Sequence, residues 1–575
     1  MTGIDVLSRL EAHAQSAPWH PCLVILQDGQ WVQLSYADML VEVDRLAHRL
    51  ARLELPRGAL FCIAIPHSAD LYLLFLAAMR AGLVPSFLAY ATPKQQADIY
   101  WTGLAELVAR ARPACIVVEP RHIGTVQALA GGACLVTDAD ALARHPAATG
   151  AAAWVPPGPD DTALLQHSSG TTGAKKGVVL THGQIARQVA AYGGAIEAGR
   201  ADRIVSWLPL YHDMGLVTGL LLPISVGATI VSLDAFEWLG RPALLFEAIS
   251  LVKGTLAWMP NFAFAHLVRV CDTGERFALG SMRAFISCSE PCKPATMAAF
   301  AGHFAGSGVR PDMLQTCYAM AEAVFAVTQS RLGAAPDVLW VERDALQRDG
   351  AVLECPATAP GAHALLSCGA PIDGIEVGIA DAAGTVMQGD TGVGEIMLRG
   401  GFVFEGYDRN PEATRQAFAE GWYRTGDLGV LRGGQLYVSG RRKELVIVHG
   451  RNFYAHDIEE AVGQVAGVKP GRVAVLGRFD PASASEQVTV YAELARAGDP
   501  AADAVRRQIR QHVFDRLELT VRSIELFDPG SLVKTTSGKV ARSQTAARVA
   551  GPDTGPVAVA AGQRVPGQYV PEGVL

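Results

Sequence analysis

Apolar, β-branched runs of five or six residues alternate with Ala- and Leu-rich stretches of helical length through the first three-quarters of this chain. The runs at 60–65 (LFCIAI), 114–118 (ACIVV), 228–232 (ATIVS) and 282–286 (MRAFI) are apolar on both alternating faces, and helix candidates lie at 36–53 and 70–81. Strands that hide both faces belong to parallel sheets covered by helices, so the pattern predicts an α/β architecture. At 575 residues the chain exceeds one compact core, and one domain per roughly 150 residues suggests about four units. Half of it is hydrophobic and 18% is charged, which excludes global disorder.

The texture changes at Pro371. Short strands and Gly-bearing turns follow (IEVGIADAAGTVM, GEIMLRGG), as in a β-rich subdomain. The net charge of −7 is uneven: residues 440–550 hold 17 Lys and Arg against 13 Asp and Glu. That leaves −10 on 1–439 and −1 on 551–575. The division expected is therefore a large body over 1–439, made of two αβ subdomains and the β-rich one. A small mobile α+β domain over 440–550 and a flexible tail over 551–575 complete it.

Several classes drop out. A mildly acidic chain gives no reason to expect nucleic-acid binding. Ten cysteines in 575 residues are too sparse for a disulfide scaffold and suit a reducing compartment. The start, MTGIDVLSRLEAHAQ, lacks the basic and apolar regions of a signal peptide. Residues 214–233 carry no charge, but Gly215, Gly219, Pro223 and Gly227 punctuate them. They read as a buried helix (about 214–222) turning into a buried strand (about 228–233), not a membrane span. A cytoplasmic protein is expected.

The strongest local signal is Ser168-Ser169-Gly170-Thr171-Thr172-Gly173-Ala174-Lys175-Lys176-Gly177, after the strand-like 162–167. Glycines let backbone N–H groups approach phosphate oxygens, hydroxyls donate further bonds and lysine supplies charge, so the run can cradle a polyphosphate. Its composition alone also permits a surface loop. It is not a Walker A loop, because Lys175 stands where that pattern needs glycine, and no GxGxxG fingerprint occurs in the chain.

SSGTTGAKKGVVLTH resembles the phosphate-binding motif of the adenylate-forming (ANL) superfamily. That family's further motifs recur in order: LPLYHDMG (208–215), SCSEP (287–291), YAMAE (318–322), YRTGDLG (423–429), GRRKEL (440–445), GRNFYAHDIEE (450–460) and KTTSGK (534–539). The resemblance spans nearly the whole chain and implies an enzyme that uses ATP and Mg²⁺ to convert a carboxylic acid into an acyl adenylate, releasing pyrophosphate. Both reactants are anions, so placed cations and N–H donors must offset repulsion and charge build-up on the α-phosphate.

By the same resemblance, Lys539 bridges the acyl carboxylate and α-phosphate, and Glu322 is the Mg²⁺ ligand. Ser168, Ser169, Gly170, Thr171, Thr172, Gly173 and Lys176 hold phosphates. Ser289, Glu290, Pro291, Tyr318 and Ala319 lie at the adenine, while Asp427 and Arg441 take the ribose. His212 gates the acyl tunnel, Lys443 is the hinge, and Met259, Asn261, Phe262 and Met320 line the acyl pocket. Two departures stand out: Cys288-Ser289 replaces the usual Gly-Ala before Glu-Pro, and Ala319 replaces a frequent Gly.

HDMGLVTGLLLPI, MPNFAFAHLVRV and EAVFAVTQS are similar to the fatty acyl-AMP ligase branch. A segment between Ser330 and Ala370 resembles the insertion by which those ligases restrain the small domain and disfavour CoA. The implied acyl acceptor is the phosphopantetheine of an acyl carrier protein. An acyl-CoA or aryl-CoA synthetase is the alternative, and a catalytically silent binding module of the same fold is a third.

Overall fold

A computed structural model of the chain describes residues 5–92, 97–145, 155–167, 176–272, 274, 276–481, 483, 485–498, 501–534 and 540–550. Its spine is a nine-stranded sheet. Six neighbouring strands run parallel, in the order Leu314–Ala319, Ala284–Ser287, Leu256–Met259, Arg203–Ser206, Thr229–Ser232 and Pro21–Gln27. Antiparallel strands close both edges. Successive side chains in these strands enter opposite cores: Ile204, Ile230, Leu256 and Ile286 face one, and Val205, Val231, Ala257 and Phe285 the other. That is why the runs read as continuously apolar.

A second, all-parallel sheet joins Val84–Phe87, Leu60–Ala64, Cys115–Val118 and Leu135–Thr137. The β-rich texture after Pro371 becomes a five-stranded antiparallel sheet built on Ile375–Ala380, Gly394–Gly400 and Trp422–Arg432. The mixed α/β body with a smaller C-terminal region is thus the fold that the alternation predicts. In the C-terminal region, Val468–Asp480, Ser485–Leu494 and Ser523–Phe527 form a sheet. It shares a separate core with the helices Ala455–Gly463 and Ala502–Leu517.

The uncharged stretch is a buried helix and strand, as expected, but the helix runs further. It starts at Asp213, passes through a π-turn at Val217–Leu221 and ends at Val226. A π-turn changes the hydrogen-bond register, so Pro223 can sit just beyond it without ending the helix. Among the described residues no helix is long and apolar enough to cross a membrane.

Between Ser330 and Ala370 the chain forms a small unit. Val338–Glu342 pairs antiparallel with Ala362–Leu366, and the helix Arg343–Asp349 lies between them. Leu339, Val341, Leu346 and Leu365 pack onto Val430 and Tyr437 of the β-rich sheet.

Candidate active site

Two strands, Thr162–His167 and Gly177–Thr181, pair so that His167 faces Gly177 across the ladder. They bracket the glycine run; residues 168–175, with Ser168, Ser169, Gly170, Thr171, Thr172 and Gly173, lie outside the described residues. Lys176 is described. Its ammonium stands 4.5 Å from the centre of the Tyr407 ring. Loss of water and then the neighbouring Lys443 pull Lys176 below the usual lysine range, against the Glu322 carboxylate.

Glu322 sits in a single 3₁₀ turn, Ala321–Ala323, directly after the strand Leu314–Ala319. The next turn is strained: Val324 is β-branched yet has φ 62°, a conformation that costs about 1–3 kcal/mol and persists where surrounding contacts impose it. Those contacts are visible. Phe404 N–H donates to the Glu322 carbonyl at 2.7 Å, and the Tyr407 hydroxyl donates to Glu322 Oε1 at 3.0 Å. Burial pushes the Glu322 carboxyl up, and nearby Asp213 adds to this against the hydrogen bonds. A carboxylate held this way fits a hard divalent cation shared with phosphate oxygens. Among the described residues no cluster of three or more ligating side chains could cage a metal alone.

Tyr318, Asp427 and Arg441 meet. Asp427 and Arg441 lie opposite each other on adjacent antiparallel strands. The Tyr318 hydroxyl donates to Asp427 Oδ2 at 2.7 Å, and Arg441 Nε approaches Oδ1 to 3.0 Å. Burial and the Asp427 charge hold the Tyr318 phenol well above its usual range, so it stays protonated as the donor. A ladder irregularity between Tyr318 and Ala319 turns the strand at this point.

The segment Ser289–Pro291 follows the strand Ala284–Ser287, with Ser289 at φ 68°. The Cys288 side chain is fully buried in the core that also holds Tyr318. Glu290 Oε2 accepts from Phe262 N–H at 3.0 Å, joining this segment to the helix Asn261–Val270.

His212 caps the helix that opens at Asp213, and Asp213 lies within electrostatic reach of Glu322. The turn before it requires Gly215, since a Cβ there would stand 2.2 Å from the Pro209 carbonyl oxygen. Gln166 Nε2 donates to the Tyr211 carbonyl at 3.0 Å, tying this turn to the strand that enters the glycine run.

The four acyl-wall residues do not converge. Met259 packs into one core of the nine-stranded sheet, whereas Met320 packs against the other. Asn261 Oδ1 accepts from Lys293 N–H at 3.3 Å, and the half-exposed Phe262 meets the edges of Trp207 and Trp238. Trp258, one residue before Met259, shares the core that contains Tyr318.

Lys443 lies in a 3₁₀ turn, Arg442–Glu444, between the body's last strand and the C-terminal region. Lys539 lies outside the described residues, but both its flanks are held. Lys534 and Val540 bridge antiparallel, and Arg542 pairs with Glu444 and Glu459, each at 2.6 Å. Across to the body, Lys293 pairs with Glu460. Arg451 donates to Gln347 at 2.6 Å, and Arg343 donates to the Arg516 carbonyl at 2.9 Å. The segment at 330–370 thus touches the C-terminal region directly.

Sequence reasoning missed Tyr407, Lys293, Arg451 and Arg542. The turn that brings Tyr407 onto Glu322 had a visible signal in Gly406-Tyr407 followed by Pro411. The other three had none.

The AMP-binding enzyme family model matches residues 10–408. The long-chain-fatty-acid–AMP ligase FadD26 of Mycobacterium marinum is 30% identical over 580 residues, covering 94% of this chain and 97% of that protein. A 4-hydroxyphenylalkanoate adenylyltransferase of the same species is 31% identical over 521 residues, covering 85% and 82%. A structure from a study of fatty acyl-adenylate ligases of E. coli and L. pneumophila superposes with TM-score 0.86 at 27% identity, covering 95% of this chain and 97% of that one. With its fold, its Glu322–Tyr407 and Asp427–Arg441 pairs and these matches, the chain belongs to the AMP-binding enzymes.

Proposed function

We propose that this chain is an acyl-AMP ligase that activates a carboxylic acid with ATP and passes the acyl group to the phosphopantetheine thiol of a carrier protein. The observation that carries the reading is the convergence of Glu322, Lys176 and Tyr407 beside the Tyr318–Asp427–Arg441 cluster. One group suits phosphates with a divalent cation, and the other suits a ribose diol. FadD26 and the structural neighbours support the fatty-acyl branch.

A carboxylate oxygen of the acid forms a bond to the α-phosphorus while the bond to the bridging oxygen breaks, and pyrophosphate leaves with that electron pair. No general base is required, because the acid is already ionised at neutral pH. Glu322, together with phosphate oxygens, would hold Mg²⁺, whose charge would offset that of the phosphates. Lys176 lies over Tyr407 beside the same carboxylate and offsets charge there. Asp427 accepts from the ribose hydroxyls through lone pairs that Tyr318 and Arg441 leave open. Lys539 completes the site from the C-terminal domain, 440–550, which swings about Lys443 between two poses. In the second pose the thiol sulfur attacks the acyl carbon and AMP leaves.

The contacts of Arg451 with Gln347 and of Arg343 with the Arg516 carbonyl support a restrained small domain and a carrier acceptor. Free thiols at all ten cysteines suit a cytoplasmic setting. Pyrophosphate release with a panel of acids, run with CoA and with a phosphopantetheinylated carrier, tests the reading. Acyl transfer to the carrier supports it, and efficient acyl-CoA formation favours the CoA synthetase instead.

A further inference from the structure

The segment Ser289–Pro291 leads directly into a contact between the body and the C-terminal region. Glu290 Oε2 accepts from Phe262 N–H at 3.0 Å, and Lys293 N–H donates to Asn261 Oδ1 at 3.3 Å. Both partners stand in the first turn of the helix Asn261–Val270. Cys292 Sγ donates to Ser287 Oγ at 3.3 Å, and Pro294 begins the helix Pro294–His303 directly after Lys293. Residues 289–293 are thus held along their length, and the φ of 68° at Ser289 is imposed by these contacts.

The Lys293 side chain crosses to the helix Ala455–Gly463 and pairs with Glu460. Asp457 and Glu459 of the same helix, with Glu290 of its own segment, add negative charge around it, against Arg516. Burial pulls the Lys293 ammonium below the usual lysine range, and those carboxylates oppose the shift. An ammonium that has given up water in this way relies on carboxylates to replace it. The attraction is mutual, since Lys293 is among the cations that hold the Asp457 carboxyl below its usual range.

The same helix holds the flank of the catalytic-lysine segment. Glu459 takes Arg542 through both carboxylate oxygens, at 2.6 and 2.8 Å, and accepts from Val475 N–H at 3.0 Å. Arg542 heads the helix Arg542–Ala550, two residues after Val540, whose bridge to Lys534 brackets Lys539. Ile458, Ala461 and Val462 seat the helix Ala455–Gly463 in the C-terminal core, so its carboxylates move together. One packed helix therefore meets residues 289–293 through Lys293 and the lysine segment through Arg542.

We propose that Lys293 is a positioning residue for adenylation: by fixing the helix Ala455–Gly463 against residues 289–293, it sets where Arg542 holds the flank of Lys539. The inference rests on the acyl-AMP ligase reading, which puts adenine at Ser289–Pro291 and Lys539 at the α-phosphate. The pair with Glu460 must break when the small domain swings away for the thiol step. Lys293 thus favours the first half-reaction and opposes departure for the second.

The test uses the full chain, one accepted acid and two assays. Single-turnover pyrophosphate release follows adenylation, and transfer from preformed, enzyme-bound acyl adenylate to a phosphopantetheinylated carrier follows the second step. Lys293→Met keeps the length of the stem and removes the charge. The paired side chains are 27% and 41% exposed, so the loss is that of a partly screened ion pair. The maximal rate of pyrophosphate release should fall about fivefold, with the ATP concentration for half-maximal rate within about twofold of wild type. Transfer to the carrier should hold or rise, and Lys293→Arg should restore most of the first rate. Glu460→Gln supplies the same readouts from the more exposed partner if Lys293→Met does not fold. Arg542→Met alone should also slow adenylation, and adding it to Lys293→Met should give no more than the larger single loss, because both break one path. A raised ATP requirement at unchanged maximal rate overturns the proposal and leaves Lys293 a support of the adenine segment alone. Equal losses in both assays overturn it too, as do losses from Lys293→Met and Arg542→Met that multiply. Failure of wild type to release pyrophosphate with any acid overturns the acyl-AMP ligase reading itself.

Discussion

Replacing Asp427 with asparagine removes one negative charge while keeping the side chain's shape. The structure gives the consequences separately for stability and for nucleotide binding. Asp427 is only 8% exposed and takes the Tyr318 hydroxyl at 2.7 Å and Arg441 Nε at 3.0 Å. Asparagine can still accept from Tyr318, so that bond survives. Arg441 loses its counter-ion, but its side chain is 52% exposed. Solvent screening therefore reduces the loss from the several kcal/mol of a buried pair to about 1 kcal/mol. In a body of this size that lowers Tm by only about 1 °C. The nucleotide effect is larger, because a carboxylate accepting from ribose hydroxyls makes charge-assisted bonds worth about 1.5–3 kcal/mol. KM for ATP should therefore rise roughly ten- to hundredfold. The assay is pyrophosphate release against ATP and 2′-deoxy-ATP, for wild type and Asp427→Asn. If Asp427 grips the diol, removing the 2′-hydroxyl penalises wild type and adds little to the variant, as in a double-mutant cycle. An equal 2′-deoxy penalty in both proteins, or a KM for ATP within about threefold of wild type, would refute the assignment.

Lys539→Ala should abolish acyl-adenylate formation while leaving ATP binding largely intact, read by pyrophosphate release and equilibrium titration. Glu322→Gln should raise the Mg²⁺ concentration for half-maximal rate by at least about tenfold, whereas Tyr407→Phe, which keeps the charge, should cost about tenfold in rate. Arg451→Ala removes the bond to Gln347 and the ion pair to Asp344, a surface loss of about 1 kcal/mol. It should release the C-terminal region about fivefold more often, measured as faster hydrogen exchange over 440–550. Acid should act the same way. Burial pushes the Asp457 carboxyl up, but His456, His363, Lys293 and Arg343 outweigh it and hold it below its usual range. Burial chiefly pulls His363 below its ordinary 6.5. The Asp457 contribution is complete above the ordinary carboxylate pKa and lost as pH falls through the lower docked value. A released His363 binds its proton more readily, so undocking is favoured from about pH 6.5 downward. Protection over 440–550, after normalising for the intrinsic pH dependence of amide exchange, that rises between pH 8 and pH 5 would contradict both assignments.

The backbone was legible where one physical rule dominates. The strand at 162–167 and the helix at 36–51 follow from burial pattern and composition alone. Contacts were legible where a motif fixes several atoms at once, as where Asp427 meets Arg441. The acyl wall was less legible because Met259 and Met320 pack into opposite cores of the nine-stranded sheet. In Leu256–Met259 successive residues face opposite cores, so Met259 turns away from the core that holds Trp258 and Tyr318. Cys288 is the converse case: it stands where the resemblance has glycine, and its burial makes it core. Direction is a tertiary property that a spacing pattern does not carry.

The uneven charge shows what the missed residues share. The C-terminal region's surplus of positive charge is not a diffuse surface potential. Arg451 faces Asp344 and Gln347 on the acidic body, and Lys443 lies within electrostatic reach of Lys176. Arg542 ties the segment that follows Lys539 to Glu444, one residue past Lys443. Three of these contacts involve atoms more than 80 residues apart in sequence, so no local pattern could announce them. If Lys443 is the hinge, the Arg542–Glu444 pair makes Glu444 and Arg542 move together. Gly440 permits that path, because any Cβ there would stand 2.4 Å from the Tyr454 ring that packs across the junction. Breaking Arg542–Glu444 should therefore slow adenylation without altering ATP affinity, whereas breaking Arg451–Gln347 should change only how often the small region leaves the body.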